Sequence, residues 1–279
     1  MTEKYFDRFR KNIIGLDQTF TGPYGEKKIV YADWTASGRM YGPIEHRITH
    51  DIAPFVANTH TETTVTGSSM TKAYHHAKEI IKKHVNAHET DILISSCSGM
   101  TGVVNKLQRI LGLKLHEKMR KKIDIPQSER PIVFVTHMEH HSNQTTWLET
   151  ICDVVVIQAC SEGCVDLDHF QQLLEKYSDR LTKIAAVTSC SNVTGIQTPY
   201  HEIAKMIHKV GGRCFVDFAC SGPYIDIDMH PTDPEEIYNA DRIVLPGVGA
   251  FRDGMQGLID RNLLDPLLNA IEQGKPFLG

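Results

Sequence analysis

The sequence has no apolar run approaching the roughly 18 residues of a membrane-spanning helix. Its opening, MTEKYFDRFRKN, lacks the apolar core of a secretory signal, so a soluble, cytoplasmic chain with no membrane partner is expected. Neither charge sign is in large excess: 30 Lys and Arg oppose 34 Asp and Glu, a net charge of −4, which argues against a nucleic-acid partner. Cysteine is sparse and odd in number, seven residues scattered through apolar contexts, which suits buried thiols in a reducing compartment better than a disulfide frame. No internal repeat or low-complexity tract occurs. What is present, 41% hydrophobic and 23% charged residues over 279 positions, is ordinary for a globular protein of one large α/β domain or two smaller ones.

Periodicity gives the organisation. Residues 1–20 read as an amphipathic helix with Tyr5, Phe6, Phe9, Ile13 and Ile14 on its apolar stripe, and Ile29–Asp33 as a short strand. Tyr41–Phe55 and Ser68–Val85 read as helices, Asp91–Ser95 as a strand and Met100–Leu111 as a helix. Strands at 131–135, 153–157, 183–188 and 213–217 then alternate with helices at 142–150, 166–176 and 200–210. Regular alternation with nearly continuous apolar strands predicts a mostly parallel sheet covered by helices on both faces. Ligand groups in such sheets collect at the carboxyl ends of the strands. Ser95–Thr101, His137–Asn143, Ser189–Gly195 and Asp217–Ser221 all fall at predicted strand ends.

Several of these positions carry residues with usable chemistry. Gly99, Met100 and Thr101 open a helix after small residues, which suits either a phosphate cradle or a plain strand-to-helix turn. Asp217 closes an apolar strand, where a carboxylate can pair with a protonated ring nitrogen or simply cap a helix. His137, His140 and His141 form an HxxHH cluster, but no second ligand cluster has metal spacing, so no metal is expected. His140 fits stacking on an aromatic cofactor or a solvent-facing helix start. Asn192 sits in a small polar loop, as a cofactor contact or as turn chemistry. No nucleophile elbow or Ser-His-Asp order is present, and Cys97, Cys190 and Cys220 read as small hydrophobes.

Taken in order, these motifs resemble the class V aminotransferases, a pyridoxal-phosphate family that includes cysteine desulfurases, over about residues 20–238. Tyr31–Ser37 is similar to the family's opening strand and loop, and Ala57-Asn58-Thr59-His60 to its next segment, which puts Asp33 and His60 on the substrate side. Glu139-His140-His141-Ser142-Asn143, Ser191-Asn192-Val193-Thr194-Gly195 and Val216-Asp217-Phe218-Ala219-Cys220 resemble three cofactor segments. The resemblance implies that Gly99, Met100 and Thr101 hold the cofactor phosphate and that His140 stacks on the ring. It also implies Asn192 near the phenolic oxygen and Asp217 on the pyridine nitrogen. Cys220 stands where the family often has Gln. The implied fold is the large domain of fold-type I pyridoxal-phosphate enzymes, C-terminally incomplete.

Past Asp217 the only lysine is Lys275, so the family's Schiff-base lysine segment is not found, and Lys275 is the one candidate for that role. From about residue 239 the chain resembles another family, the glutamine amidotransferase subunit of imidazole glycerol phosphate synthase. Pro246-Gly247-Val248-Gly249 is similar to its oxyanion segment and Gly274–Gly279 to the lead-in to its nucleophile. The expected domains are therefore 1–238, pyridoxal-phosphate transferase-like, and 239–279, amidotransferase-like. Three readings follow: an aminotransferase or desulfurase-like enzyme acting on an amino acid, impaired at its lysine; a non-catalytic pyridoxal-phosphate or anion binder; or an amidotransferase fragment of histidine biosynthesis. A homo-oligomer is expected, because an open parallel sheet leaves apolar edges to cover.

Overall fold

β-Branched and aromatic residues run without a polar break through Ile132-Val133-Phe134-Val135, and all four are completely buried. They form the centre of the first of two compact units, Met1–Lys78 with Ile92–Asp226; the second is Glu79–Asp91 with Ile227–Gly279. The computed structural model describes residues 3–34, 37–59, 61–96, 98–120, 122–231, 243–244, 258–259, 263–273, 275 and 277–278.

In chain order, helix α1 (Glu3–Arg10) precedes a hairpin of β1 (Thr19–Gly22) and β2 (Gly25–Lys28). Helices α2 (Gly42–Arg47), α3 (Val65–His84), α4 (Gly99–Ile110) and α5 (Glu117–Arg120) follow. Then come β3 (Ile132–Thr136), α6 (His141–Leu148), β4 (Asp153–Ile157), α7 (Leu167–Lys176), β5 (Lys183–Thr188), α8 (Tyr200–Lys209) and β6 (Arg213–Asp217). The last four strands make one parallel sheet in the order β4-β3-β5-β6. The expected α/β fold, a parallel sheet between helices, is what the chain adopts.

Side chains alternate across this sheet with period two. Val133, Val135, Ile184 and Ala186 face Val104 of α4 and Trp147 of α6. Ile132, Phe134, Ala185 and Val187 face Phe170 of α7 and Ile203 and Ile207 of α8. At the amino edge the charges are consumed structurally. The buried Arg180 guanidinium donates to Arg130 O and to Asp153 Oδ2, both at 2.8 Å, and Lys183 Nζ donates to the carbonyls of Ser178 and Arg180. Helix α7 starts where Asp166 Oδ1 accepts the His169 N–H at 2.9 Å, a cap of about 1 kcal/mol.

The front of the chain departs from the periodicity. The helix expected over 1–20 ends at Arg10, where Asn12 Nδ2 donates to Arg8 O and Gly15 takes φ +79°, a left-handed position that stops a helix. The strand expected at Ile29–Asp33 lies earlier, as β2, because the Pro23-Tyr24 turn pairs Gly22 with Gly25 and sets the register. The helix expected over 41–55 is α2 followed by a π-turn at Ile48–Ile52 and a 3₁₀ turn at Ala53–Phe55, since Pro54 has no N–H to continue it. Asp91–Ser95 is not a strand: its apolar residues have no pairing partner among the described residues, and Ile92 is 86% exposed.

In the second unit, His230 Nε2 and Asp91 Oδ2 are 2.7 Å apart, and the His230 ring stacks on His88 at 3.7 Å. That contact, with the His88 N–H, holds the Asp91 carboxyl below its ordinary pKa. Parallel two-residue strands β7 (Ile243–Val244) and β8 (Phe277–Leu278) accompany helix α9 (Leu264–Glu272), which buries Pro266, Leu267 and Ala270. Pro246–Gly249 lies outside the described residues. Among the described residues no helix is long and apolar enough to cross a membrane.

Candidate functional site

The carboxyl edge of the sheet gathers the polar residues that the strands deliver. Crossovers leave β3 toward β4 on one side, while β5 pairs on its other side, so the β3–β5 boundary is the point where ligands settle in such sheets. A single carboxylate occupies that boundary. Glu139 Oε1 accepts the Thr136 hydroxyl at 2.6 Å, the Thr188 N–H at 2.8 Å and the Thr136 N–H at 3.2 Å. Its Oε2 accepts Asn143 Nδ2 at 2.7 Å, and Asn143 Oδ1 in turn accepts the Trp147 indole N–H. Burial raises the Glu139 pKa, and these hydrogen bonds oppose the rise without cancelling it. The sequence reading missed this role. A Glu three residues past a strand-end Thr was visible, but its partner Thr188 lies 49 residues on.

The next residue, His140, caps α6. Its Nδ1 accepts the Ser142 N–H at 3.2 Å, which assigns the ring proton to Nε2 on the exposed side. Asp217 ends β6 in register with Thr188 and is only 4% exposed. Its Oδ1 accepts the Ala219 N–H at 2.8 Å, and among the described residues no cation pairs with it. Beside it the Ser189 and Ser221 hydroxyls share a hydrogen bond, and Cys220 Sγ donates to Cys190 O at 3.0 Å. Burial chiefly, with the neighbouring Cys190, raises the Cys220 thiol pKa, so Cys220 is no ready nucleophile. Asn192 is exposed on the loop after β5, where the Ser191 hydroxyl accepts the N–H groups of Val193 and Thr194 and Gly195 turns at φ +73°.

Helix α4 joins the same edge. Gln108 Nε2 reaches Thr146 Oγ1 of α6, and Ile151 N donates to Leu113 O, so the two helices run the same way. The N-terminus of α4 therefore faces the carboxyl edge with that of α6. Ser98 and Gly99 there both have positive φ, +71° and +60°, and the first N–H groups of the helix have no acceptor within it. A methyl group on Gly99 would meet nothing within 4 Å, so the approach is open. The edge thus offers free helix N–H donors, an uncompensated buried carboxylate and an exposed imidazole, a donor set that fits an anionic group tethered to a protonated heteroaromatic ring.

Asp33 is exposed on a front loop whose hydrogen bonds are local, from Tyr31 Oη to Asp33 O at 3.2 Å and to Ser37 O at 2.6 Å. His60 and Cys97 lie outside the described residues. Lys275 belongs to the second unit, where its N–H donates to Ala270 O at 3.1 Å. A cavity of about 420 Å³ lies away from the sheet edge; it is lined by Ile13, Leu16 and Trp34 of the front segment with Arg10, Lys28 and Arg39, and has no carboxylate or histidine in its lining. Among the described residues no cluster has metal-ligand geometry.

Known proteins resemble this chain in sequence and in fold. A cysteine desulfurase of Synechococcus elongatus is 26% identical over 243 residues, 85% of this chain and 36% of that protein. The imidazole glycerol phosphate synthase subunit HisH 1 of Legionella pneumophila is 61% identical over 57 residues, 20% of this chain and 27% of that protein. The crystal structure of the cysteine desulfurase CsdA from Escherichia coli superposes with a TM-score of 0.57 at 19% identity, covering 79% of this chain and 50% of that one, which shows the shared fold. The chain spans half or less of the length of each of these relatives. Residues 30–235 match the aminotransferase class-V family, whose members depend on pyridoxal phosphate. The match runs through most of the chain, both helical layers and all four strands of the sheet, and the protein belongs to the class-V aminotransferase family.

Proposed function

We propose that the carboxyl edge of the β3–β6 sheet binds pyridoxal 5′-phosphate and serves amino-group or sulfur chemistry on an amino acid. The observation that carries this reading is Asp217, a buried carboxylate with one N–H donor and, among the described residues, no cation. Leaving such a charge uncompensated is costly, and a protonated pyridine nitrogen would complete it. In this reading the free N–H groups at Gly99, Met100 and Thr101 hold the phosphate, and the His140 ring lies on the cofactor face with its Nε2–H outward. Asn192 and Cys220 stand on the side of the phenolic oxygen, and Asp33 and His60 on the side of the substrate. When bound, the cofactor supplies an electron sink; Asp217 keeps its ring nitrogen protonated, and Glu139 fixes the spacing of the two strands that present these groups.

Residues 1–238 carry this site, and 239–279 form the amidotransferase-like segment. The active assembly is a cytoplasmic homo-oligomer. A second reading, a pocket that holds the cofactor without turnover, is favoured by the stretch between Asp217 and Lys275, which has no lysine. An amidotransferase role for the tail rests on the 57-residue likeness to HisH 1, which covers 27% of that protein.

Two measurements separate these readings. Absorbance titration with pyridoxal phosphate should saturate for the wild type and weaken at least about tenfold, or about 1.4 kcal/mol, in Asp217→Ala. Equal binding by the variant would remove the assigned site. Borohydride trapping with peptide mapping then asks about covalent attachment. A single adduct at Lys275 supports an enzyme, whereas saturable binding with no specific adduct supports the non-catalytic holder.

A further inference from the structure

Two of the cysteines face each other across a tight hairpin at the same edge of the sheet. After β4 the chain turns back on itself. Asp166 N donates to Gln158 O at 3.0 Å, Ala159 bridges Val165 antiparallel, and Cys160 N donates to Cys164 O at 2.8 Å. The turn closes when Gly163 N donates to Cys160 O at 2.9 Å, with Gly163 at φ +84°. This is a three-residue hairpin loop with a glycine bulge, which sets Cys160 directly opposite Cys164. Opposed residues of a hydrogen-bonded pair have Cα atoms about 5.5 Å apart, inside the roughly 4.4–6.8 Å that a disulfide spans. Directly opposed side chains leave the same face of the ribbon.

Among the described cysteines Cys164 is the exposed one; Cys160, like Cys190, Cys214 and Cys220, is partly buried, and Cys152 is buried, so backbone opposition rather than exposure singles out the pair. Burial raises the thiol pKa of Cys152 and of Cys220, and pushes Cys214 up to about 12, which keeps all three protonated and poorly reactive. The hairpin also touches the site segment, because His137 Nε2 donates to Gly163 O at 3.0 Å and His137 lies three residues before His140.

We propose that Cys160 and Cys164 form a reversible redox dithiol at the rim of the sheet edge. The oxidant is a low-molecular-weight disulfide of the glutathione class. The Cys164 thiolate attacks one of its sulfurs, forming a protein–glutathione mixed disulfide and expelling one glutathione thiolate, which takes up a proton. The Cys160 thiolate then attacks Cys164 Sγ, closes the internal disulfide and expels the second glutathione. The protein dithiol loses two electrons and two protons, and the small disulfide is reduced to two thiols. The closed hairpin backbone already holds the sulfurs together, so ring closure orders little additional chain.

The test uses the full chain, equilibrated natively with oxidised and reduced glutathione, quenched, alkylated and mapped by mass. The wild-type peptide containing residues 160–164 should lose two hydrogen masses and regain them with dithiothreitol. Cys152 and Cys214 should alkylate only after denaturation. In Cys160→Ser the mixed disulfide should accumulate on Cys164, because its resolving thiol is gone. Failure of the internal bond to form in native oxidised buffer, or its formation only in denaturant, would overturn the proposal. Phenylarsine oxide, which bridges paired thiols, gives an independent reading. One equivalent should bind the reduced wild type and none should bind Cys160→Ser or Cys164→Ser; equal binding by all three would sink the pairing. Neither readout involves pyridoxal phosphate, so this inference stands or falls apart from the cofactor site.

Discussion

Residues 132–217 and residues 3–78 use apolar side chains in opposite ways. In the sheet region Trp147 and Phe170 are completely buried, and every position of β3 and β5 is enclosed. In the front region Tyr24 and Val30 are each 88% exposed, and α1 buries no residue at all. The two regions do not differ in kind of residue but in available partners. Each inner strand has a neighbour on both edges and a helix layer on both faces, while the front consists of short helices, most of the 20-residue α3 and one two-stranded hairpin. A hairpin alone encloses nothing. Burial, and with it rigidity, is therefore concentrated where the carboxyl edge needs to hold its groups still.

That contrast is broken most directly by emptying the core. Trp147→Ala removes a fully enclosed ring and its indole bond to Asn143, and should cost about 3–5 kcal/mol in urea unfolding. A loss below about 1 kcal/mol would mean that the sheet region is as loosely packed as the front.

A somewhat smaller effect is expected at the boundary between β3 and β5. Glu139→Ala deprives the Thr136 and Thr188 N–H groups of their acceptor, at about 1–3 kcal/mol for each buried donor left unpaired. The Glu139→Gln variant isolates the charge. Because burial raises the folded pKa above the ordinary value of 4.5, the folded state holds the proton more tightly than the unfolded chain. Its contribution to stability is therefore full below that value and is lost as pH rises through the folded pKa. The stability of wild type minus Glu139→Gln should fall between acid and neutral pH. A difference that rises with pH would show that the four hydrogen bonds outweigh desolvation.

The same contrast explains what could be read in advance. Strands 153–157, 183–188 and 213–217 stand at the bounds their apolar runs predict, because strands with helices on both faces carry consecutive apolar residues, here Val154–Ile157, Ile184–Val187 and Cys214–Val216. Ile29–Asp33 and Asp91–Ser95 carry equally strand-like patterns, yet pairing is a property of the neighbour, which no local pattern contains. Strand-end positions were legible for the site as well, so His140, Asn192, Asp217 and the Gly99 turn all arrive at the carboxyl edge. The Glu139 junction was not, since its meaning depends on Thr188 and on burial. The Cys160–Cys164 pairing hides for a related reason: a CxxxC spacing is unremarkable until Gly163 turns left-handed between the two thiols.

The smallest change in stability should come from the front. Tyr24 sits at the tip of the β1–β2 hairpin, and Tyr24→Ser deletes a ring that is already solvated, so unfolding free energy should move by no more than about 0.5 kcal/mol. Self-association should respond differently. The front leaves several large apolar side chains exposed, and a homo-oligomer would cover them with another copy of this region. Light scattering should therefore report a lower mean mass for Tyr24→Ser than for wild type at equal concentration. A monodisperse wild-type monomer would defeat the oligomer reading outright. An unchanged oligomer in the variant would locate the association surface elsewhere, and the exposed ring at the hairpin tip would then need no partner, because isolated apolar groups are common on protein surfaces.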